Sequence, residues 1–235
     1  MPEVLLAPAK LTRSLRVTGV RADGYHLIDA EMLSLDLADS LTFDDGDGLV
    51  VRGLGAEVTA DDDNLVARAL RVVGRTASVT VDKRIPAGAG LGGGSADAAA
   101  VLRWARVTDL AVAVGLGADV PFCVVGGRAR VTGIGERVEP LPFEPRTFTL
   151  LTPPVHCSTP AVYRAWDDLG GPTAEGANDL EPAALVVAPE LAEWRDRLGE
   201  VTGHTPQLAG SGSTWFVDGA HEGRDLVVVT TIDRS

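Results

Sequence analysis

Cysteine is scarce in this chain, and so are aromatic residues, positive charge and long apolar runs. Cys123 and Cys157 are the only cysteines in 235 residues. Without CxxC spacing they suggest neither a disulfide scaffold nor zinc, and both are expected to be reduced and buried or partly buried. No run of about 18 apolar residues is present, so no membrane span is expected. Met1-Pro2-Glu3-Val4-Leu5-Leu6 lacks a basic region followed by a long apolar run. No signal peptide is therefore expected, and the cytoplasm is the default location. Lys and Arg number 21 against 33 Asp and Glu, a net charge of −12, which argues against nucleic acid or an anionic membrane as partner. The chain holds no G-x-S-x-G elbow and no H-E-x-x-H helix, so no hydrolase constellation competes. It also shows no internal repeat.

What is present is an ordinary globular composition, 45% hydrophobic and 23% charged, long enough for one large or two small domains. Glycine is concentrated in one place. Residues 86–97 read Pro86-Ala87-Gly88-Ala89-Gly90-Leu91-Gly92-Gly93-Gly94-Ser95-Ala96-Asp97, five glycines in twelve. An alternating segment, Ala77–Asp82, precedes them and the helix-forming run Ala96–Leu102 follows. Strand, glycine loop and helix start let backbone N–H groups converge on a phosphate at the positive end of a helix dipole. A flexible surface loop is the plainer alternative, but it gives no reason to end on Ser95 at a helix start. Gly94 is followed by Ser95 and Ala96, so the Gly-Lys-Ser/Thr ending of a P-loop is absent. Gly88, Gly90 and Gly93 satisfy G-x-G-x-x-G literally, yet Asp109 precedes the next apolar run, the wrong order for a dinucleotide fold.

The loop resembles the central ATP loop of the galactokinase–homoserine kinase–mevalonate kinase–phosphomevalonate kinase (GHMP) superfamily. Two more motifs flank it in the right order, Ala7-Pro8-Ala9-Lys10-Leu11 and Leu208-Ala209-Gly210-Ser211-Gly212-Ser213-Thr214. Arg21–His26, Asp63–Val66, Gly117–Phe122 and Gly133–Glu136 are similar to the branch that phosphorylates the 2-hydroxyl of 4-diphosphocytidyl-2-C-methyl-D-erythritol, in non-mevalonate isoprenoid precursor synthesis. The resemblance covers about Leu6 to Phe216. It implies an α+β, two-domain fold in shortened form, N-terminally like ribosomal protein S5 domain 2 and C-terminally ferredoxin-like. The composition resets after Pro140–Pro145, so the boundary is placed between residues 1–145 and 146–235.

The resemblance also implies the chemistry. ATP and Mg²⁺ are the expected cofactors, and a small molecule with a cytidine diphosphate moiety is the expected substrate, bound by a monomer or homodimer. Asp119, among apolar neighbours where an unpaired carboxylate is costly, is the candidate base. Lys10 is the cation to pair with it and to polarise the attacking hydroxyl. Taken alone, Asp119 also suits a turn or cap and Lys10 could snorkel. Pro86–Ala96 would cradle the triphosphate, with Asn64 and Lys83 near the adenosine. Ser95 is a candidate for phosphate or Mg²⁺, and could equally cap its helix. Tyr25, His26 and Tyr163 would hold the cytosine, with Thr12 beside them, and Gly210, Ser211 and Gly212 would close the site. Transfer is expected to be direct, since no candidate nucleophile lies beside the loop. The chain departs from the family at Thr12, where asparagine is usual; threonine keeps a hydroxyl but loses the amide. The stretch before Asp119 and the tail around Asp218–Asp225 are shortened. Two alternatives stay open: a kinase of another small alcohol, and a catalytically silent nucleotide-binding homologue.

Along the chain, strands are expected over residues 3–20, Ile28–Leu37, Ser40–Phe43, Thr147–Leu151 and Leu226–Thr231, with a turn between Leu37 and Ser40, and Pro160–Leu169 and Pro189–Leu198 read as helices. Asp61-Asp62-Asp63 reads as the cap of a helix over Asn64–Val73. Phe122–Val125 and Arg128–Val131 read as a hairpin about Gly126-Gly127.

Overall fold

The computed structural model describes residues 1–54 and 63–234. Two sheets with helices packed around them result, the α+β arrangement expected from strands and helices that interleave irregularly. The larger sheet is organised around β2 (His26–Asp44), which pairs antiparallel along its length with β1 (Glu3–Val20). Its other partners divide it: β5 (Arg128–Gly133) takes residues 28–33, and β4 (Ser78–Lys83) takes residues 40–44. β3 (Gly48–Gly53) runs parallel to β4, and β6 (Arg137–Pro140) closes the far side on β5. The smaller sheet is ordered β10-β7-β9-β8, from β7 (Thr147–Leu151), β8 (Gln207–Leu208), β9 (Trp215–Asp218) and β10 (Leu226–Thr230).

The turn expected between Leu37 and Ser40 is absent, and β2 runs straight through it. Residues 34–39 lie between β5 and β4, and other groups meet them there. The Ile232 amide donates to the Ser34 carbonyl, Asp36 accepts from the Thr230 amide and hydroxyl, and the Asp39 carboxylate accepts from the amides of Arg84 and Ile85. The polar residues that read as a turn are strand positions whose side chains satisfy neighbouring backbone.

Seven helices are described. α1 (Leu65–Val72) is capped by Asn64, whose side chain accepts from the Val66 amide. The cap is therefore Asn64 and not Asp63, while Asp61 and Asp62 lie outside the described residues. α2 (Gly93–Trp104) follows the glycine loop and is buried over residues 96–102. Alanines at 96, 98, 99 and 100 keep its girth small, so it packs against α1, β1 and α4. α3 (Leu110–Leu116) begins on an Asp109 cap. α4 (Val120–Val125) occupies the segment expected as the first hairpin strand; the hairpin is instead β5–β6. A short apolar run does not distinguish a buried helix from a buried strand, and Pro121 at its first turn favours helix. α5 (Thr159–Asp168), α6 (Glu181–Val187) and α7 (Leu191–Thr202) cover the smaller sheet's part of the chain, α6 having no counterpart in the sequence reading. Cys123 and Cys157 are both buried. No described helix is long and apolar enough to cross a membrane.

Candidate active site

β1 carries the first functional side chains. Ala9 and Leu11 face one apolar cluster, so the alternation of the strand turns Lys10 and Thr12 the other way, where both are buried. The Lys10 amide donates to the Leu91 carbonyl at 2.9 Å, pinning the strand to the glycine loop. Its ammonium donates to the Thr12 hydroxyl at 3.0 Å and lies 3.4 Å from the Asp119 carboxylate. Asp119 occupies the residue before α4, yet its side chain makes no capping bond. It faces Lys10 instead, with its side chain one-third exposed. Behind it, burial pushes the Cys123 thiol up to about 12, with the Asp119 charge adding to the effect. No thiolate nucleophile arises there.

The glycine loop bends through positive φ at Gly88, Gly90 and Gly92. A methyl at Gly92 would meet Lys10 Cγ at 2.7 Å, and one at Gly90 would meet the carbonyl oxygens of Gly212 and Ala209 at 2.6 and 2.7 Å. Gly92 is the cap of α2 and has no side chain to offer. The amides of Gly93, Gly94 and Ser95 open the helix and have no partner four residues back; the first such bond runs from Ala96 to the Gly92 carbonyl. Ser95 is thus the third helical residue and does not cap the helix.

These elements border one cavity of about 880 Å³. It gathers most of the residues singled out in the sequence: Lys10, Thr12, Tyr25, His26, Asn64, Lys83, residues 86–90 and 92–95, Asp119, Tyr163, Gly210 and Ser211. Three others stand outside its lining. Leu91 and Ala96 point into the apolar core, and Gly212 packs near Leu208 and Cys157. His26 is tilted against Tyr163, ring centroids 4.6 Å apart, meets Trp166 edge-on at 5.6 Å, and shares a 2.8 Å hydrogen bond with Asp167. Burial pushes the Tyr163 phenol above its usual range, and Asp119 pushes it the same way. Tyr25 is more than half exposed at the rim. The Ser211 hydroxyl is 2.8 Å from that of Thr159, which also lines the cavity.

Sequence reasoning placed Lys83 near the adenosine but gave no role to the carboxylates that hold it or to Asn178. Lys83, at the end of β4, donates to Asp97 at 2.7 Å and also to Asp39. Burial works to lower the Lys83 ammonium, but the two carboxylates outweigh it and its pKa is raised. Asp97 goes up to about 7, chiefly through burial, with Lys83 opposing and Asp39 reinforcing. Its second oxygen, Oδ1, is buried without a hydrogen-bond partner among the described residues. Asn178 donates to the carbonyls of Leu208 and Gly210 at 2.9 and 2.7 Å, holding the C-terminal glycine turn. Asp167 was legible in principle, one turn beyond Tyr163 on the same helix face. Asp39 and Asn178 carry no local signal.

Residues 64–127 match the family described as GHMP kinases N terminal domain. The chain is 38% identical to the 4-diphosphocytidyl-2-C-methyl-D-erythritol kinase of Cereibacter sphaeroides (strain ATCC 17025 / ATH 2.4.3), over 89% of this chain and 87% of the relative. It is 39% identical to the kinase of the same name from Paracoccus denitrificans (strain Pd 1222), over 89% and 84% of the two chains. A crystal structure of 4-(cytidine 5'-diphospho)-2C-methyl-D-erythritol kinase superposes with a TM-score of 0.78 at 33% identity, covering 97% of this chain and 99% of that one. Homoserine kinase from Cytophaga hutchinsonii, at 15% identity and a TM-score of 0.61 over 99% and 95% of the two chains, shares the fold.

Proposed function

This chain belongs to the family of 4-diphosphocytidyl-2-C-methyl-D-erythritol kinases of the GHMP superfamily, and we propose that it transfers the γ-phosphoryl group of ATP to the 2-hydroxyl of 4-diphosphocytidyl-2-C-methyl-D-erythritol. The observation that carries this reading is the Lys10–Asp119 pair, 3.4 Å apart in the cavity that the first turn of α2 also lines. The amides of that turn and the positive end of the helix dipole suit a triphosphate. Asp119 takes the hydroxyl proton as the oxygen attacks phosphorus, and Lys10 balances the charge that builds on the transferring group. The bond from the γ-phosphorus to the bridging oxygen breaks, ADP leaves, and no phosphoenzyme is formed.

The donor set also fits Mg²⁺ as a nucleotide-borne ion. Among the described residues no cluster of three or more acidic, histidine or cysteine side chains could hold a metal, while the cavity offers the Ser95 hydroxyl and the Asp119 carboxylate. Mg²⁺ keeps several waters and binds through one or two protein groups plus substrate phosphates, and it would supply neutralisation of phosphate charge. At the other end, the tilted His26–Tyr163 ring pair offers aromatic surface to a cytosine, fixed by Asp167 and Trp166. We assign residues 1–145 to the nucleotide cradle and base and residues 146–235 to the closing part, working in the cytoplasm where ATP is supplied.

The test is ADP release from ATP and Mg²⁺ with the cytidyl alcohol, homoserine and mevalonate as separate acceptors. Turnover is expected with the first alone. Asp119→Asn and Lys10→Ala are expected to lower kcat by at least about a hundredfold with unchanged circular dichroism; near-normal rates in either variant would refute the assignment. Turnover only with another alcohol, or nucleotide binding without turnover, would replace it by one of the two alternatives.

A further inference from the structure

We propose that Asp97, through Lys83 and Asp39, is a positioning residue that clasps the two ends of the glycine loop and so sets the affinity for ATP. Lys83 is the last residue of β4 and Asp97 the fifth of α2; the loop lies between them. The single ammonium bridges both ends, donating to Asp97 at 2.7 Å and to Asp39, which is fully buried on β2.

The two carboxylates are not equivalent. Asp39 is accounted for by the fold, since it accepts from the Arg84 and Ile85 amides at 2.6 and 2.8 Å as well as from Lys83. It thereby fixes where the chain leaves β4. Asp97 makes one such bond, and its buried Oδ1 makes none among the described residues. A second carboxylate on an already paired ammonium, with one oxygen unsatisfied, is a costly way to pack a helix; an apolar side chain would do so more cheaply. What an apolar residue could not do is tie α2 to the exit of β4. That tie fixes the α2 amides relative to the loop, and an amide cradle binds phosphate only while it is preorganised.

This inference rests on the kinase reading, because the loop has an affinity to set only if it holds ATP. ATP binding with Mg²⁺, without alcohol, is therefore measured by calorimetry on the wild type, Asp97→Ala and Asp97→Asn, beside melting temperatures and steady-state kinetics. Asp97→Ala is expected to weaken ATP binding and raise the KM for ATP by about tenfold. Its kcat should hold within about twofold, and its melting temperature should not fall. Asp97→Asn keeps a carbonyl for Lys83 and is expected to recover affinity to within about threefold. Wild-type affinity in Asp97→Ala overturns the clasp, as does equal loss in both variants or a fall in kcat at constant KM. An Asp97→Ala chain that does not fold also overturns it, since the carboxylate would then serve the fold. A wild-type protein that binds no ATP sinks the kinase reading itself, and the clasp with it.

Discussion

Thr12 links the departure from the family pattern to the geometry of the catalytic pair. Its hydroxyl accepts from the Lys10 ammonium at 3.0 Å, closer than the 3.4 Å between Lys10 and Asp119. Both Lys10 and Thr12 are buried, so the ammonium depends on the few partners fixed around it. A hydrogen bond from a charged donor contributes about 1.5–3 kcal/mol. Thr12→Val preserves shape and deletes the acceptor, and it is expected to lower kcat by about tenfold or more. Thr12→Ser restores the hydroxyl and should restore most of the rate. Steady-state kinetics on the two variants decide the matter; equal rates would mean that the hydroxyl does not orient Lys10.

Helix α2 and its loop show which glycines serve the fold and which the ligand. Gly90 has φ +75° and its added methyl would strike two backbone carbonyls, so an alanine there strains the loop whatever is bound. Gly94 is helical, and its added methyl would meet only Leu65 Cδ1, at 3.4 Å, an ordinary contact. Alanine is better than glycine in a helix by about 1 kcal/mol. Gly94→Ala is therefore expected to melt at or above the wild-type temperature while binding ATP at least about tenfold more weakly, because the methyl keeps phosphate oxygens off the amides. Calorimetric binding and thermal melts on one preparation test both halves of the statement. Strand, loop and helix were legible here because each is a local pattern: alternation, glycine spacing, an alanine-rich run. The supports beneath were not. Leu37-Ala38-Asp39-Ser40 reads as a turn because its polar residues look solvated, whereas Asp39 is a buried strand residue bound to a lysine 44 positions away. One local ambiguity hid both the continuity of β2 and the ion triad under the loop. Phe122–Val125 failed for a different reason, since four apolar residues contain no period.

Across the whole molecule, the two sheets come from separate stretches of chain, but their cores do not. One apolar cluster joins Leu11, Leu33 and Leu91 to Phe148, Leu150 and Phe216. The other joins the buried face of α2 to Trp166, Leu198 and Trp215. β1 is stitched to the distant part as well: Leu15 exchanges backbone bonds with Ala177 and Asp179, and Arg16 pairs with Asp179 at 2.6 Å. Shared burial of this kind couples unfolding, so the chain is expected to unfold in one transition despite its length. The denaturation midpoint by far-ultraviolet circular dichroism, averaged over all elements, should coincide with that by tryptophan fluorescence, which reports Trp166, Trp194 and Trp215 beside Trp104. Asn178 is the place to test the coupling. Its side chain holds the carbonyls of Leu208 and Gly210 and accepts from the Leu180 amide, all in the buried seam beside β1. Asn178→Ala leaves those groups unsatisfied and is expected to cost about 1–3 kcal/mol. If the molecule is one cooperative unit, both probes move together to lower denaturant with an unchanged slope. If the parts are independent, the wild-type transitions separate, and the substitution moves one of them alone.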